Sequence, residues 1–316
     1  MKIGANYLTE KRNEQTVSTF DKVYEILIKK GYLDVLKYPG KYCDYSSLNS
    51  LLDLARKTDC EIDMHGLPGM IPATHDKNMM NNIKWEELSD LLWKNQSFKR
   101  YSTHIGLDSI DQVLNYEKEE FETNFKTNFE KFKQKLKEMT GREIQFGGEN
   151  QPGGFGIDKN TLTPEFISSI WSKMDFGVFD IAHAKSASAD LGISYEEYLN
   201  RLMFLEKVNI LHIASNIDQT GKYPDKPDKH LMIAEDDLED ILKTIEKFPN
   251  LDLIVTEHAY NSKYSYEKEI VIEIVTLNKL VKTKNIEETK HVMNILEKEL
   301  KENLENIEEV LEKIGE

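Results

Sequence analysis

The chain has 316 residues, and 41 Lys and Arg against 56 Asp and Glu give it a formal net charge of −15. A strong general polyanion binder is disfavoured, because neutralising phosphates requires a basic surface. The 31% charged and 39% hydrophobic residues, with no run near the roughly 18 apolar residues of a spanning helix, argue against a membrane protein. The amino-terminal run MKIGANYLTEKR lacks the apolar core of a secretory signal, which predicts a cytoplasmic protein.

Short apolar, β-branched segments recur along the chain, with amphipathic helical patterns between them. Eight such segments are predicted strands: Lys2–Tyr7, Leu33–Tyr38, Glu61–His65, Tyr101–Ile105, Glu143–Glu149, Phe176–Ile181, Val208–Ala214 and Leu251–His258. Strand starts that recur every roughly 30 to 40 residues are typical of βα units. We therefore predict an α/β protein with a (β/α)8 TIM-barrel fold. A doubly wound sheet is the alternative, but its phosphate-binding G-x-G-x-x-G does not follow the first strand.

Helices are predicted between these strands from apolar residues at helical spacing. The predicted helices are Thr16–Lys30, Tyr45–Lys57, Trp85–Trp93, Ile110–Met139, Pro164–Met174, Tyr195–Leu205, Glu235–Phe248 and Tyr266–Val281. Each follows one of the predicted strands, as the crossover of a βα unit requires.

The last part of the chain has a different character. Apolar residues recur at helical spacing through a Glu- and Lys-rich background, at Leu300, Leu304, Ile307, Leu311 and Ile314. This pattern predicts one long amphipathic helix. We therefore divide the chain into a barrel domain, residues 1–284, which carries the catalytic site, and a C-terminal helical extension, residues 285–316. The extension is too short for a free coiled coil, so we expect it to pack on the barrel or to join two copies in a homo-oligomer.

Polar side chains with metal-binding chemistry follow the predicted strands. In a (β/α)8 barrel the carboxyl ends of the strands meet on one face, and catalytic residues collect there. The candidates at these ends are His65, His104, Glu149, Asp180, His183, His212, Asp228, His230 and Glu257. Five of the eight histidines in the chain belong to this set. A single histidine at a strand end is usually structural, but five on one face with four carboxylates indicate a metal site.

The number of bound ions distinguishes between two reactions. Imidazole and carboxylate groups are accepted as ligands by zinc, manganese and iron(II). Two or three ions suit phosphoryl chemistry, because one activates a water molecule while the others stabilise the attacking and leaving oxygens. One or two ions suit isomerisation, in which a metal polarises the carbonyl and hydroxyl of a sugar while a carboxylate moves a proton.

Five short segments resemble a known superfamily: GGENQPGGFG at 147–156, FDIAHAKSASADL at 179–191, LHIASNID at 211–218, PDKH at 227–230 and VTEHAY at 255–260. They look like the xylose-isomerase-like TIM barrels, and within these the chain is most similar to the endonuclease IV branch, the family 2 apurinic/apyrimidinic (AP) endonucleases. The resemblance implies a hydrolase of phosphodiester bonds that acts on abasic DNA in DNA repair. It also implies a cofactor of up to three divalent metal ions. Zinc is the expected metal, and Mn²⁺ or Fe²⁺ are the alternatives.

The resemblance further implies how nine ligands are shared among three ions. The first ion would have His65, His104 and Glu149; the second, bridged by Glu149, would have Asp180, His212 and Glu257; the third would have His183, Asp228 and His230. Glu149 or Glu257 would be the catalytic carboxylate that orients the attacking water.

A second hypothesis from the same superfamily is a sugar or sugar-phosphate isomerase or epimerase. It would use Glu149, Asp180, His212 and Glu257 around one ion, with the two glutamates moving the proton. Two observations favour it. The chain is acidic, and the loops that flank the groove differ from the endonuclease pattern, as at Ala214-Ser215 where that branch has Asn-Asp.

The segment after the second strand interleaves basic and aromatic residues. Lys37, Tyr38 and Tyr42 lie in the run KYPGKYCDY, which we interpret as a loop at the mouth of the site. Aromatic and basic side chains can stack on bases and contact phosphates, or close over a sugar ring. We therefore predict these three residues to bind substrate.

Overall fold

The computed structural model describes the chain at residues 1–7, 14–39, 45–66, 83–93, 98–105, 118–154, 159–217, 229–258, 264–302 and 307–315. Within these ranges the chain forms eight strands. They are β1 Lys2–Asn6, β2 Val35–Tyr38, β3 Glu61–His65, β4 Phe98–His104, β5 Gln145–Glu149, β6 Phe176–Asp180, β7 Val208–Ile213 and β8 Leu253–Thr256. All eight predicted strands are present.

The strands close into a barrel. Each strand pairs in parallel with the next, and β8 pairs in parallel with β1. The predicted (β/α)8 barrel is therefore confirmed, and the doubly wound alternative is wrong. A closed parallel barrel brings the carboxyl ends of all eight strands to one mouth.

Helices follow the strands around the outside of the barrel. They are α1 Glu14–Lys29, α2 Tyr45–Thr58, α3 Trp85–Trp93, α4 Lys118–Thr140, α5 Lys159–Leu162, α6 Pro164–Trp171, α7 Ile181–Leu191, α8 Tyr195–Arg201, α9 Leu238–Lys247, α10 Tyr266–Thr283, α11 Ile286–Glu302 and α12 Ile307–Gly315. Helices α5 and α7 were not predicted from the sequence; α7 begins directly at the end of β6. No helix within the described ranges has the length and apolar character needed to cross a membrane.

Two apolar layers hold the barrel together. A small one inside the barrel contains Val35, Phe176, Val178, Ile210, Leu253 and Val255, and a large one lies between the strands and the helices. Gly147 makes room for the inner layer, because a Cβ there would lie 2.2 Å from the Phe176 ring. The inner layer lies toward the amino ends of the strands, so polar side chains fill the barrel toward the carboxyl ends.

The C-terminal segment differs from the prediction of one long amphipathic helix. Instead of one long helix, α11 and α12 are two helices that contact each other, and Lys313 Nζ lies 3.1 Å from Glu299 Oε2. In a continuous helix, residues 14 positions apart are separated by about 21 Å. The chain turns back because both helices bury apolar side chains in the large core, among them Leu300 and Leu311. The extension packs on its own barrel; a homo-oligomer and the boundary at residue 285 stay predictions.

Candidate metal centre

The barrel mouth brings the predicted ligands together. Eight of them lie within the described ranges: His65, His104, Glu149, Asp180, His212 and Glu257 at or next to strand ends, His183 in the first turn of α7, and His230 in the segment between β7 and α9. Asp228 lies outside the described residues. Glu149, Asp180 and His212 are fully buried. We call these eight residues the candidate metal centre.

Glu149 lies in the middle of the centre, and its two oxygens face different partners. Oε2 lies 3.1 Å from His65 Nε2 and 3.3 Å from His104 Nε2. Oε1 lies 2.8 Å from His212 Nδ1 and 3.4 Å from His183 Nδ1. Such a carboxylate can bridge two cations, as the sequence analysis predicts for this residue.

Three groups of ligand atoms are compact enough to hold an ion. In each group the ligand atoms lie within 4.8 Å of one another. The groups are His65, His104 and Glu149; His183, His230 and Glu257; and Glu149, Asp180, His183 and Glu257. The first group contains the ligands that the resemblance assigns to its first ion. The second pairs His183 with His230, which the resemblance assigns to its third ion.

The chemistry of Glu149 Oε2 fits a cation. This atom is buried and has no hydrogen-bond donor among the residues that the structure describes. His65 Nδ1 lies 3.0 Å from Ser102 Oγ, and the Ser102 hydroxyl in turn donates to the Met64 carbonyl oxygen at 3.4 Å. His65 Nδ1 therefore carries the ring proton, and the lone pair of Nε2 faces a carboxylate oxygen. Two such acceptors repel each other unless a cation lies between them.

Backbone carbonyls set the tautomers of two further histidines. His183 Nδ1 donates to the Asn150 carbonyl oxygen at 2.9 Å, and His230 Nδ1 donates to the Glu257 carbonyl oxygen at 3.2 Å. In both rings Nε2 then carries the lone pair that a metal requires. His230 also has a backbone φ of 44°, a left-handed conformation that is uncommon for residues other than glycine and is concentrated at functional sites.

Asn150 supports the centre, although the sequence analysis did not include it among the site residues. Its side chain is fully buried, accepts a hydrogen bond from Asp180 N at 2.6 Å and donates one to Asp180 O at 2.9 Å. Asp180 Oδ1 in turn accepts the amide of His183 at 2.7 Å and caps α7. These bonds fix the end of β6 and the start of α7, which carry two of the ligands.

Lys37 occupies a different place from the one predicted. It lies within β2 and not on a mouth loop, and its side chain is fully buried inside the barrel. Nζ donates to Glu257 Oε1 and lies 3.0 Å from His212 Nε2. Tyr38 is the last residue of β2, and its ring is fully buried in the outer core. Both residues thus lie in the predicted strand Leu33–Tyr38 and not in a loop, and substrate binding by either of them stays a prediction. Tyr42 lies outside the described residues.

Burial sets the protonation of the centre. Desolvation, reinforced by the positive charge of Lys37, lowers the pKa of His212 to about 3 and holds the pKa of His65 well below its usual range. Both imidazoles are therefore neutral at pH 7, the form that binds metals. Desolvation also lowers the pKa of Lys37 to about 8, against the opposing effect of Glu149, Asp63 and Asp180.

Asp63 adds a further carboxylate below the ligands. It pairs in register with Lys37 of β2 and Arg100 of β4, and its side chain is buried. Neither of its oxygens has a hydrogen-bond partner among the described residues. Desolvation raises the pKa of Asp63 to about 6, although Arg100 and Lys37 lower it. No role was predicted for Asp63 from the sequence.

Comparison with known proteins supports the fold. The chain matches no protein-family model and no curated protein. Its structure is similar to that of a D-tagatose 3-epimerase-like protein, with a TM-score of 0.54 and 17% identity over 88% of this chain and 98% of that chain. It is also similar to the 3-keto-D-glucoside 4-epimerase YcjR from E. coli, with a TM-score of 0.53 and 14% identity over 85% and 97%.

A third similar structure is a xylose isomerase domain-containing protein from Salmonella typhimurium, with a TM-score of 0.54 and 10% identity over 87% of this chain and 97% of that chain. At these identities the likeness concerns the fold alone, and function must be argued from the site. The fold is the one that the resemblance to xylose-isomerase-like barrels implies.

Proposed function

We propose that this protein is a metal-dependent isomerase or epimerase of a sugar or sugar phosphate. One observation carries the proposal: Glu149 and Glu257 converge on the same point. His212 Nδ1 lies 2.8 Å from Glu149 Oε1 and 3.2 Å from Glu257 Oε1. Moving a proton between carbons, or between the two faces of one carbon, requires such carboxylates beside the reacting atom. The sugar epimerases among the similar structures support this choice over hydrolysis.

The chain offers a binding place for the metal that this chemistry needs. Glu149, Asp180, His183 and Glu257 form the group of four buried ligands. A divalent ion bound there would polarise the carbonyl and hydroxyl oxygens of a sugar. His183 donates from Nδ1 to the Asn150 carbonyl oxygen at 2.9 Å, so its Nε2 carries the lone pair that binds such an ion.

The two glutamates would carry the proton. Glu149 ends β5, and Glu257 directly follows β8, so they reach the mouth from different sides of the barrel. One carboxylate takes the proton from the carbon next to the carbonyl, and the other returns a proton to the neighbouring carbon or to the opposite face. Glu257 is 6% exposed and Glu149 is fully buried, so solvent can exchange with a proton on Glu257 more readily than with one on Glu149.

Deuterium exchange tests the proposal directly. The metal-loaded protein is incubated in D₂O with a panel of ketoses, aldoses and their phosphates, and the carbon-bound protons are followed by ¹H NMR. We expect exchange into one of these sugars and a loss of about 10²-fold or more in Glu257→Gln and Glu149→Gln. Glu143→Gln is the matched control, because Glu143 is exposed and pairs with Lys137. Exchange that persists in both site variants would overturn the assignment.

A second candidate, phosphodiester hydrolysis, is favoured by the surplus of ligands. Isomerisation around one ion does not need His65, His104 or His230 as ligands. Hydrolysis of abasic DNA by several ions needs these additional ligands. His230→Ala distinguishes the two reactions: it should abolish cleavage of abasic DNA by a hydrolase, but leave sugar turnover by an isomerase largely intact.

A further inference from the structure

Lys37 places a positive charge inside the candidate metal centre. Its side chain is fully buried, although lysine is among the residues that are rarely buried without a partner. Nζ donates to Glu257 Oε1 and lies 3.0 Å from His212 Nε2 and 3.3 Å from His212 Nδ1. Glu149 and Asp180 are near enough to act on its charge. The ammonium therefore contacts two of the four residues assigned to the second ion, His212 and Glu257, and the charges of the other two act on it.

A metal ion and the Lys37 ammonium exclude each other at this position. Divalent ions such as zinc lie about 2.0–2.2 Å from imidazole nitrogen and carboxylate oxygen. An ion bound to both His212 Nε2 and Glu257 Oε1 would fall in the volume that Nζ fills. Two cations in contact at a buried position also repel strongly, because the effective dielectric constant there is low.

We propose that the Lys37 ammonium takes the place of one metal ion, so that the centre binds one ion fewer than its ligands allow. It occupies the position between His212 and Glu257 Oε1. The three compact ligand groups of the described residues flank this position, and none of them includes His212. They are His65, His104 and Glu149; His183, His230 and Glu257; and Glu149, Asp180, His183 and Glu257. The inference rests on the metal centre alone and does not depend on which reaction the centre performs.

The hydrogen bonds of His212 agree with this substitution. The ammonium donates to Nε2, so Nδ1 carries the ring proton and donates to Glu149 Oε1 at 2.8 Å. Lys37, His212 and Glu149 therefore form a chain in which each donor meets an acceptor. An ion on His212 Nε2 would replace the lysine in this chain and leave the other contacts unchanged.

Counting metal ions tests the inference. Wild type and Lys37→Met are saturated with Mn²⁺ or Zn²⁺, desalted, and analysed by elemental mass spectrometry, with isothermal titration calorimetry as a second count. Methionine has nearly the volume of lysine but no charge. We expect Lys37→Met to bind one more ion per chain than wild type. We also expect its melting temperature to rise more on metal addition, because the new ion restores the missing positive charge.

Two control variants separate charge from side-chain volume. Lys37→Arg keeps the charge and should bind no additional ion. Lys185→Met makes the same substitution at a lysine that contacts two carboxylates, Asp237 at 3.2 Å and Asp240 at 2.8 Å, outside the centre. It should also bind no additional ion.

An equal or smaller ion count in Lys37→Met than in wild type overturns the inference. Wild-type crystals soaked in Mn²⁺ give a test that does not depend on folding of the variant. An anomalous peak between His212 and Glu257 with Lys37 displaced would refute the substitution, and peaks only at the flanking ligand groups would support it. Deuterium exchange into sugars can fail or succeed independently of this count, so the two proposals are separately tested.

Discussion

Replacing Asn150 by alanine tests how the second layer of the site supports the ligands. The change removes two hydrogen bonds, from Asp180 N at 2.6 Å and to Asp180 O at 2.9 Å. Asp180 is fully buried, so these backbone groups have no access to bulk water. A buried polar group left unsatisfied costs about 1–3 kcal/mol, and two such groups give an expected loss of about 3 kcal/mol in the free energy of unfolding.

The same substitution should weaken metal binding. Asn150 holds the backbone of Asp180, whose Oδ1 accepts the His183 amide, so both ligands lose their fixed positions. Loss of such a supporting residue typically costs about 10–100-fold in metal affinity. Urea unfolding of the metal-free protein measures the first effect, and calorimetric titration with Mn²⁺ or Zn²⁺ measures the second.

The matched control for Asn150→Ala is Asn209→Ala. Asn209 also donates from Nδ2 to a backbone carbonyl, that of Asn250 at 2.9 Å, but lies near the amino end of β7. Its loss should cost about 1 kcal/mol and leave metal affinity unchanged. If the two variants were equally stable, or if Asn150→Ala bound metal as tightly as wild type, the supporting role would be refuted.

Three other perturbations have expected outcomes. Burial raises the pKa of Glu273 from 4.5 to about 7, so the contribution of this carboxyl group to stability is complete below pH 4.5 and is lost as the pH rises to 7. Glu273→Gln should remove up to about 3 kcal/mol of this pH-dependent loss in the free energy of unfolding. Urea unfolding of wild type and variant at pH 5 and pH 7.5 measures the difference, and identical pH profiles of the two proteins would contradict the raised pKa. Gly147→Ala, whose Cβ would meet the Phe176 ring, should cost about 1–3 kcal/mol, and Phe176→Leu should recover part of it in a double-mutant cycle. EDTA should lower the melting temperature at pH 7, because buried carboxylates lose their counter-ions; an unchanged temperature would argue that no ion binds.

Parts of the fold could be predicted from the sequence because their signals are local. Several strands have nearly continuous apolar runs, such as FGVFD in β6 and LIVT in β8, which is what a strand covered on both faces requires. Helix α7 was missed because four of the six apolar residues of IAHAKSASADL are alanines, so the helical period is weak. The break between α11 and α12 was also missed. A helical period shows which face is apolar, but not where the chain turns back onto its own core.

The candidate ligands were found from the sequence because the chemistry of histidine and carboxylate side chains does not depend on context. Their position at strand ends followed from the strand pattern alone. The support from Asn150 could not be predicted, since its side chain contacts a residue 30 positions away. Only the pairing of β5 with β6 brings the two together.

The sequence by itself determined the barrel and the kinds of side chain at its mouth, and the tertiary structure decided where Lys37 lies. The side chains of β2 alternate between the two apolar layers: Val35 lies in the inner layer, and Leu36 and Tyr38 lie in the outer core. Side chains on a strand alternate between faces, so a shift of one residue would move Lys37 to the helices. The register that pairs Lys37 with Asp63 is fixed by packing on both faces of the closed barrel. That packing is what places a lysine among the metal ligands.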